Sequence, residues 1–335
     1  MAGQCDMRSL PIARLVVLLI LVVLPFVQSN AYWVHIFSLA LIAVILAFSQ
    51  QLLVGSAGIV SLGQGAFFGI GAYTAASLSI SLGLPFLLAI ASGGVLAGIS
   101  SLLLIPIVRL KGSSLAVATL GFAIIVHLVM LNEDWLTGGS IGMMDIPAPT
   151  LFGLSLGGES RFYFVCLIAA AGVFLALDRI THSRFGRALT AISQDEEAAR
   201  ASGIAIAVYK SKCFLVAAIV SGIAGGLYAY HSRYLNPNDF DFQKSIEILI
   251  MIVIGGIRSL PGAALGAAIV VLIPEVLRSS GEFRLILFGV MVVVLAGTGS
   301  RGLSGVLVDL FRPLVSRLWS ISHKPTSQKP WAARP

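Results

Sequence analysis

The sequence predicts an all-α, polytopic membrane bundle of about ten transmembrane helices. Three observations carry that expectation. The chain has 335 residues, of which 57% are hydrophobic and only 11% charged, against about 25% charged residues in a soluble domain. Its mean hydropathy is +0.96. Apolar runs recur from end to end, each near the ~20 residues that a helix needs to cross the hydrocarbon core.

The first run, residues 15–27, follows Arg8 and Arg14. A basic start, an apolar core and the small-residue stretch "QSNA" also fit a signal peptide. The second run begins almost at once and can pair with the first as a hairpin, so an uncleaved span is the favoured reading. Further spans are expected at about 34–54, 60–81, 85–108, 114–131, 162–177, 213–230, 246–257, 263–277 and 285–297.

Charge sets the orientation. With a cytoplasmic N-terminus and ten crossings, 17 of the 22 Lys and Arg residues fall inside and 5 outside. That asymmetry places both termini in the cytoplasm by the positive-inside rule. The expected organisation is a cytoplasmic tail (1–14), a transmembrane domain (15–300) with a cytoplasmic loop at about 178–212, and a basic C-terminal tail (301–335). Tyr32, Trp33 and Trp135 lie at expected outer boundaries, where amphipathic rings settle. The net charge of +7 comes from short loops, which argues against nucleic-acid binding. Cys5, Cys166 and Cys213 have no metal-site spacing and give no disulfide framework.

The least ordinary span contains "GSAGIVSLGQGAFFGIGAY", residues 55–73. Read as one helix, Ala57, Ser61, Gly65 and Gly69 form a small-residue face that lets two backbones approach closely. Ser61, Gln64, Tyr73 and Thr74 add polarity at membrane depth, where such groups pair with another helix or line a wet path. The path candidates are Ser61, Gly63, Gln64, Gly65, Phe67 and Tyr73. The glycine spacing does not fit a dinucleotide turn, and the chain contains no G-x-x-x-x-G-K-[ST]. A second segment, "GGIRSLPGAALGAAIVVLIPE", has a G-x-x-x-G pair at Gly262 and Gly266. Two glycine-interrupted segments in the two halves of a chain point to a repeat with a transport path between them.

In the loop at 178–212, Ser193 and Glu196 have capping-box spacing, which predicts a helix from near Gln194 to a glycine stop at Gly203. Phe185, Leu189 and Ile192 share one side of a short helix upstream. The loop reads either as a solvated basic connection or as a docking element.

These three segments resemble the permease subunits of bacterial ABC importers for branched-chain amino acids, most closely the second of the two paired permeases. The resemblance runs from about 40 to 303. Glu197-Ala198-Ala199 with Gly203 is similar to the E-A-A-x-x-x-G pattern by which importer permeases dock their ATPases. It implies a docking loop built on Phe185, Gly186, Arg187, Leu189, Glu197, Ala198 and Gly203. It also implies a homologous second permease, two cytoplasmic ATPase subunits, a periplasmic binding protein and a bacterial inner-membrane location. The chain itself would be no enzyme and would need no cofactor or metal. Arg258 stands where the family pattern has a small residue.

Two other readings remain open in the sequence. Urea and short-amide importers use closely similar permeases. An ion-coupled secondary transporter would keep ionisable groups inside the membrane, yet no Asp, Glu, Lys or Arg falls mid-span by these boundaries. His35, His127 and His231 are isolated, near outer boundaries.

Overall fold

Asn30 opens the first long helix, α1 (Ala31–Gln51), by accepting the Tyr32 N–H on its side chain at 3.0 Å. The computed structural model describes residues 19–25, 30–110, 112–151, 154–280, 289–290 and 293. Residues 19–25 of the expected first span are helical. The rest of that span, both tails and nearly all of 285–297 lie outside the described residues.

Residues 40–51 of α1 are all buried, as befits a helix that is apolar all round and central to its bundle. It widens into one π-helical turn, Leu52–Ser56. A Cβ on Gly55 would stand 2.1 Å from the Ile257 carbonyl oxygen, so only glycine allows that approach. Next come α2 (Gln64–Leu82), α3 (Phe86–Ser101) and α4 (Ser113–Asn132). The segment that follows holds a short helix, α5 (Asp134–Thr137), and a two-residue hairpin of β1 (Thr150–Leu151) with β2 (Leu154–Ser155). The 24-residue α6 (Glu159–His182) leads to two short helices, α7 (Arg184–Gln194) and α8 (Glu196–Ala201). The 27-residue α9 (Ile206–Ser232) is followed by a 3-10 turn (Pro237–Phe240), α10 (Phe242–Gly255) and α11 (Leu260–Val276).

Among the described residues, six helices are long and apolar enough to cross a membrane, taking α1 with its π turn and α3 with the 3-10 turn after it. The chain is therefore a polytopic helical bundle, and α10 and α11 are shorter, at 14 and 17 residues.

The core is α9 packed on α2 and α3, through contacts that only small residues permit. A Cβ on Gly71 would lie 2.2 Å from the Gly222 carbonyl oxygen, and one on Gly225 2.0 Å from that of Phe68. Close backbone approach gives membrane helices packing energy without a hydrophobic drive. The G-x-x-x-G pair acts the same way: Gly266 faces the Met251 carbonyl of α10, and Gly262 faces Gly255.

One expectation is corrected. The glycine-rich span begins at Gln64, not at residue 60, because the chain is irregular from 58 to 63 and Gly58 takes a φ of +68°. Ala57 and Ser61 therefore do not share a helical face with Gly65 and Gly69. Those two glycines do pack closely, Gly65 against Ser245 and Gly69 against Met130 and Phe240.

Candidate functional site

An irregular backbone inside an apolar bundle leaves its amides without helical partners, and in a bundle core each must be satisfied by protein. Three backbone groups of residues 58–63 are met from elsewhere in the chain, and a fourth from within the segment. The Ile59 N–H donates to the Leu53 carbonyl at 2.9 Å. The Leu62 N–H donates to Thr119 Oγ1 of α4 at 3.0 Å, and the Gly63 N–H to Ser61 Oγ at 3.2 Å. Gln50 Nε2 of α1 donates to the Ser61 carbonyl at 2.8 Å. The Gly65 N–H, in the first turn of α2, donates to Ser245 Oγ of α10 at 2.9 Å.

Around this break lies a seam of neutral polar side chains. Ser49, Gln50, Ser61, Gln64, Thr119, Ser221 and Ser245 are each 0% exposed. Ser221 Oγ donates to Gln64 Oε1 at 2.5 Å, and Ser49 Oγ lies 2.8 Å from Ser221 Oγ. Gln64 thus ties α1, α2 and α9 together. Gln64 Nε2, Gln50 Oε1 and Tyr73 Oη are buried with no partner among the described residues. Each unpaired buried group costs about 1–3 kcal/mol.

The six path candidates divide here. Ser61, Gly63, Gln64 and Gly65 sit at the break. Phe67 packs on Phe122 at 5.4 Å, and Tyr73 meets Phe240 edge-on at 5.6 Å, beyond the break. Sequence reasoning missed Ser49, Gln50, Thr119, Ser221 and Ser245. The signal was available for Ser49, Gln50, Thr119 and Ser221, polar residues within apolar runs and too short to reach the interface by snorkelling, whereas Ser245 precedes the run expected at 246–257.

The loop element is ordered by its own caps. Ser183 caps α7, accepting the Phe185 and Gly186 N–H groups at 3.1 and 3.4 Å. The expected capping box is corrected: Ser193 lies inside α7, and Asp195 caps α8 by accepting from Glu197 and Ala198 at 2.8 and 3.1 Å. Asp195 wins because its carboxylate reaches the first free amides from two residues nearer along the chain. The stop at Gly203 stands, with φ +80° and a Schellman pair in which Ile204 donates to the Ala199 carbonyl at 3.1 Å and Gly203 to that of Arg200 at 3.0 Å.

Of the docking candidates, Leu189 and Gly186 are buried within the chain, and Phe185 stacks on Tyr209 at 5.6 Å. Arg187, Glu197, Ala198 and Gly203 are exposed. Lys210, only 4% exposed, pairs with Glu196 and fastens α8 to the start of α9. Leu189 shares a packed cluster with Leu52, Leu53, Ala57 and Ile59. Ser193 faces Gly58, where a Cβ would be 3.0 Å away. The loop therefore rests directly on the helix break.

One further expectation changes. His35 and His231 are not isolated: their rings stack at 4.0 Å, and Glu159 lies 3.4 Å from His35 Nδ1. Lys244 and Glu247, both in α10, line one cavity with residues of α1 and α11.

A family model described as the permease component of the branched-chain amino acid transport system matches residues 32–296. The chain is 34% identical over 314 residues to the high-affinity branched-chain amino acid transport system permease protein LivM of Escherichia coli (strain K12), covering 86% of this chain and 74% of that protein. It is 30% identical over 187 residues to the permease protein LivH of the same strain, covering 52% and 59%. It is 25% identical over 178 residues to the autoinducer 2 import system permease protein LsrC of Escherichia coli O9:H4 (strain HS), covering 52% and 49%. No solved structure matches. The chain belongs to the branched-chain amino acid transport permease family.

Proposed function

We propose that this family member is the permease subunit of an ATP-driven ABC importer for branched-chain amino acids. It is a multi-pass protein of the bacterial inner membrane. The observation that carries the reading is the helix break at 58–63, which with the first turn of α2 is tied to α1, α4 and α10 by neutral polar side chains. Broken helices at membrane depth are where transporters build solute paths.

The path runs past Ser61, Gly63, Gln64 and Gly65, with Phe67 and Tyr73 flanking it. Ten crossings with both termini cytoplasmic agree with the charge asymmetry, within a transmembrane domain of 15–300. The cytoplasmic ATPases engage the loop at 178–212. Arg187, Glu197, Ala198 and Gly203 form its contact face, and Phe185, Gly186 and Leu189 seat it on the bundle. Because Leu189 and Ser193 touch the π turn and Gly58, motion of the loop reaches the break through one layer of side chains. A homologous second permease completes the path, and similarity to both LivM and LivH supports that pairing. A periplasmic binding protein delivers the cargo.

Purification of the tagged chain from native membranes in mild detergent, with mass spectrometry of its partners, tests the assembly. Recovery of an ATPase and a second permease is expected. A chain that comes out alone and transports without ATP would overturn it.

A further inference from the structure

A cavity of about 240 Å³ lies among α1, α2, α9, α10 and α11. Its inner edge is Leu46 and Phe68, each about one helical turn from the Ser49–Gln64 contact, since a turn takes 3.6 residues. Ile42, Leu46, Val270 and Val271 give it an apolar wall. Lys244 and Glu247 line it as well, and they pair at 2.9 Å with side chains 29% and 38% exposed. An ionisable pair set between membrane helices is costly and marks a solute pathway by default. Helix starts inside a membrane bundle also favour anionic groups nearby, and Lys244 is in the first turn of α10.

We infer that this cavity is the amino-acid subsite of the permease: Lys244 takes the α-carboxylate, Glu247 the α-ammonium, and the Ile42, Leu46, Val270 and Val271 wall the branched side chain. The inference rests on the importer reading above and specifies its cargo chemistry. A zwitterion substitutes for the Lys244–Glu247 pair charge for charge, so neither group is left uncompensated when the solute enters. A neutral short amide offers no such exchange. From the cavity the solute has one layer, Leu46 and Phe68, to pass before it meets the Gln64 seam.

Uptake of radiolabelled leucine and alanine is to be measured in proteoliposomes holding the chain with its copurifying partners. Lys244→Gln and Glu247→Gln are each expected to cut leucine uptake at least about tenfold, the scale of one lost charge-assisted hydrogen bond. ATPase stimulation by the loaded binding protein should persist in both. Val271→Phe narrows the apolar wall and is expected to shift preference from leucine toward alanine. Wild-type leucine uptake in both charge variants would overturn the inference while leaving the importer reading intact. If those variants fail to insert, an unchanged leucine-to-alanine ratio in Val271→Phe overturns it instead. A wild-type assembly that imports no branched-chain amino acid would remove the importer reading, and the subsite with it.

Discussion

Two helices begin inside this bundle, and they are held in different ways. The start of α2 at Gln64 depends on distant side chains: Gln50 of α1, Thr119 of α4 and Ser245 of α10 supply its partners. The start of α10 is closed locally. Asn236 and Asp239 form a capping box on the 3-10 turn, and Asp241 accepts the Lys244 N–H at 3.2 Å. One start is neutral and needs the whole bundle, whereas the other is self-capped and carries charge. A helix end satisfied from afar moves whenever its neighbours move, which suits a gate. A self-capped end is a fixed post.

The harshest way to break that contrast is to separate the two starts where they meet. A Cβ on Gly65 would lie 2.9 Å from Ser245 Oγ and 3.1 Å from the Asp241 carbonyl. Gly65→Val should abolish uptake and lower thermal stability in detergent by about 1–3 kcal/mol, the usual cost of overpacking. A fully active Gly65→Val protein would show that the two starts are not in functional contact.

The next pair sharpens the comparison. Thr119→Val strands the Leu62 N–H in the core and should cost about 1–3 kcal/mol. Asp241→Ala removes a single cap and should cost about 1 kcal/mol. Thermal unfolding of the two variants gives the order directly, and the reverse order would contradict the contrast. The smallest effect concerns the loop. Ser193→Ala should stay within about 0.5 kcal/mol, since Ser193 caps nothing, while Asp195→Ala should cost about 1 kcal/mol.

The same contrast explains what the sequence could reveal. Length and hydropathy make the helices at 34–54, 114–131 and 213–230 legible, because a span is a local property. Gly203 was legible as a stop for the same reason. The break at 58–63 was not, since its stability comes from Thr119 and Ser245, 57 and 180 residues away along the chain. Gln64 could be singled out as a polar residue at depth, but Ser49 and Ser221 acquire meaning only when α1, α2 and α9 are packed together. Ser245 was not legible because α10 begins at Phe242, ahead of the apolar run expected at 246–257. The cap at Asp195 was lost to Ser193, whose spacing imitates a capping box while its Oγ bonds back to Thr190 within α7.

The central claim is that Gln64 marks a transport path and is more than a packing tie. Gln64→Leu leaves Ser49 and Ser221 bonded to each other and removes the unpaired Nε2, so thermal stability should hold. The decisive measurement is ATP-dependent leucine uptake by proteoliposomes of the assembled importer carrying that one change. The account predicts uptake in the wild type and a large loss in Gln64→Leu at unchanged stability. Wild-type uptake in Gln64→Leu would contradict it and return the seam to plain helix packing.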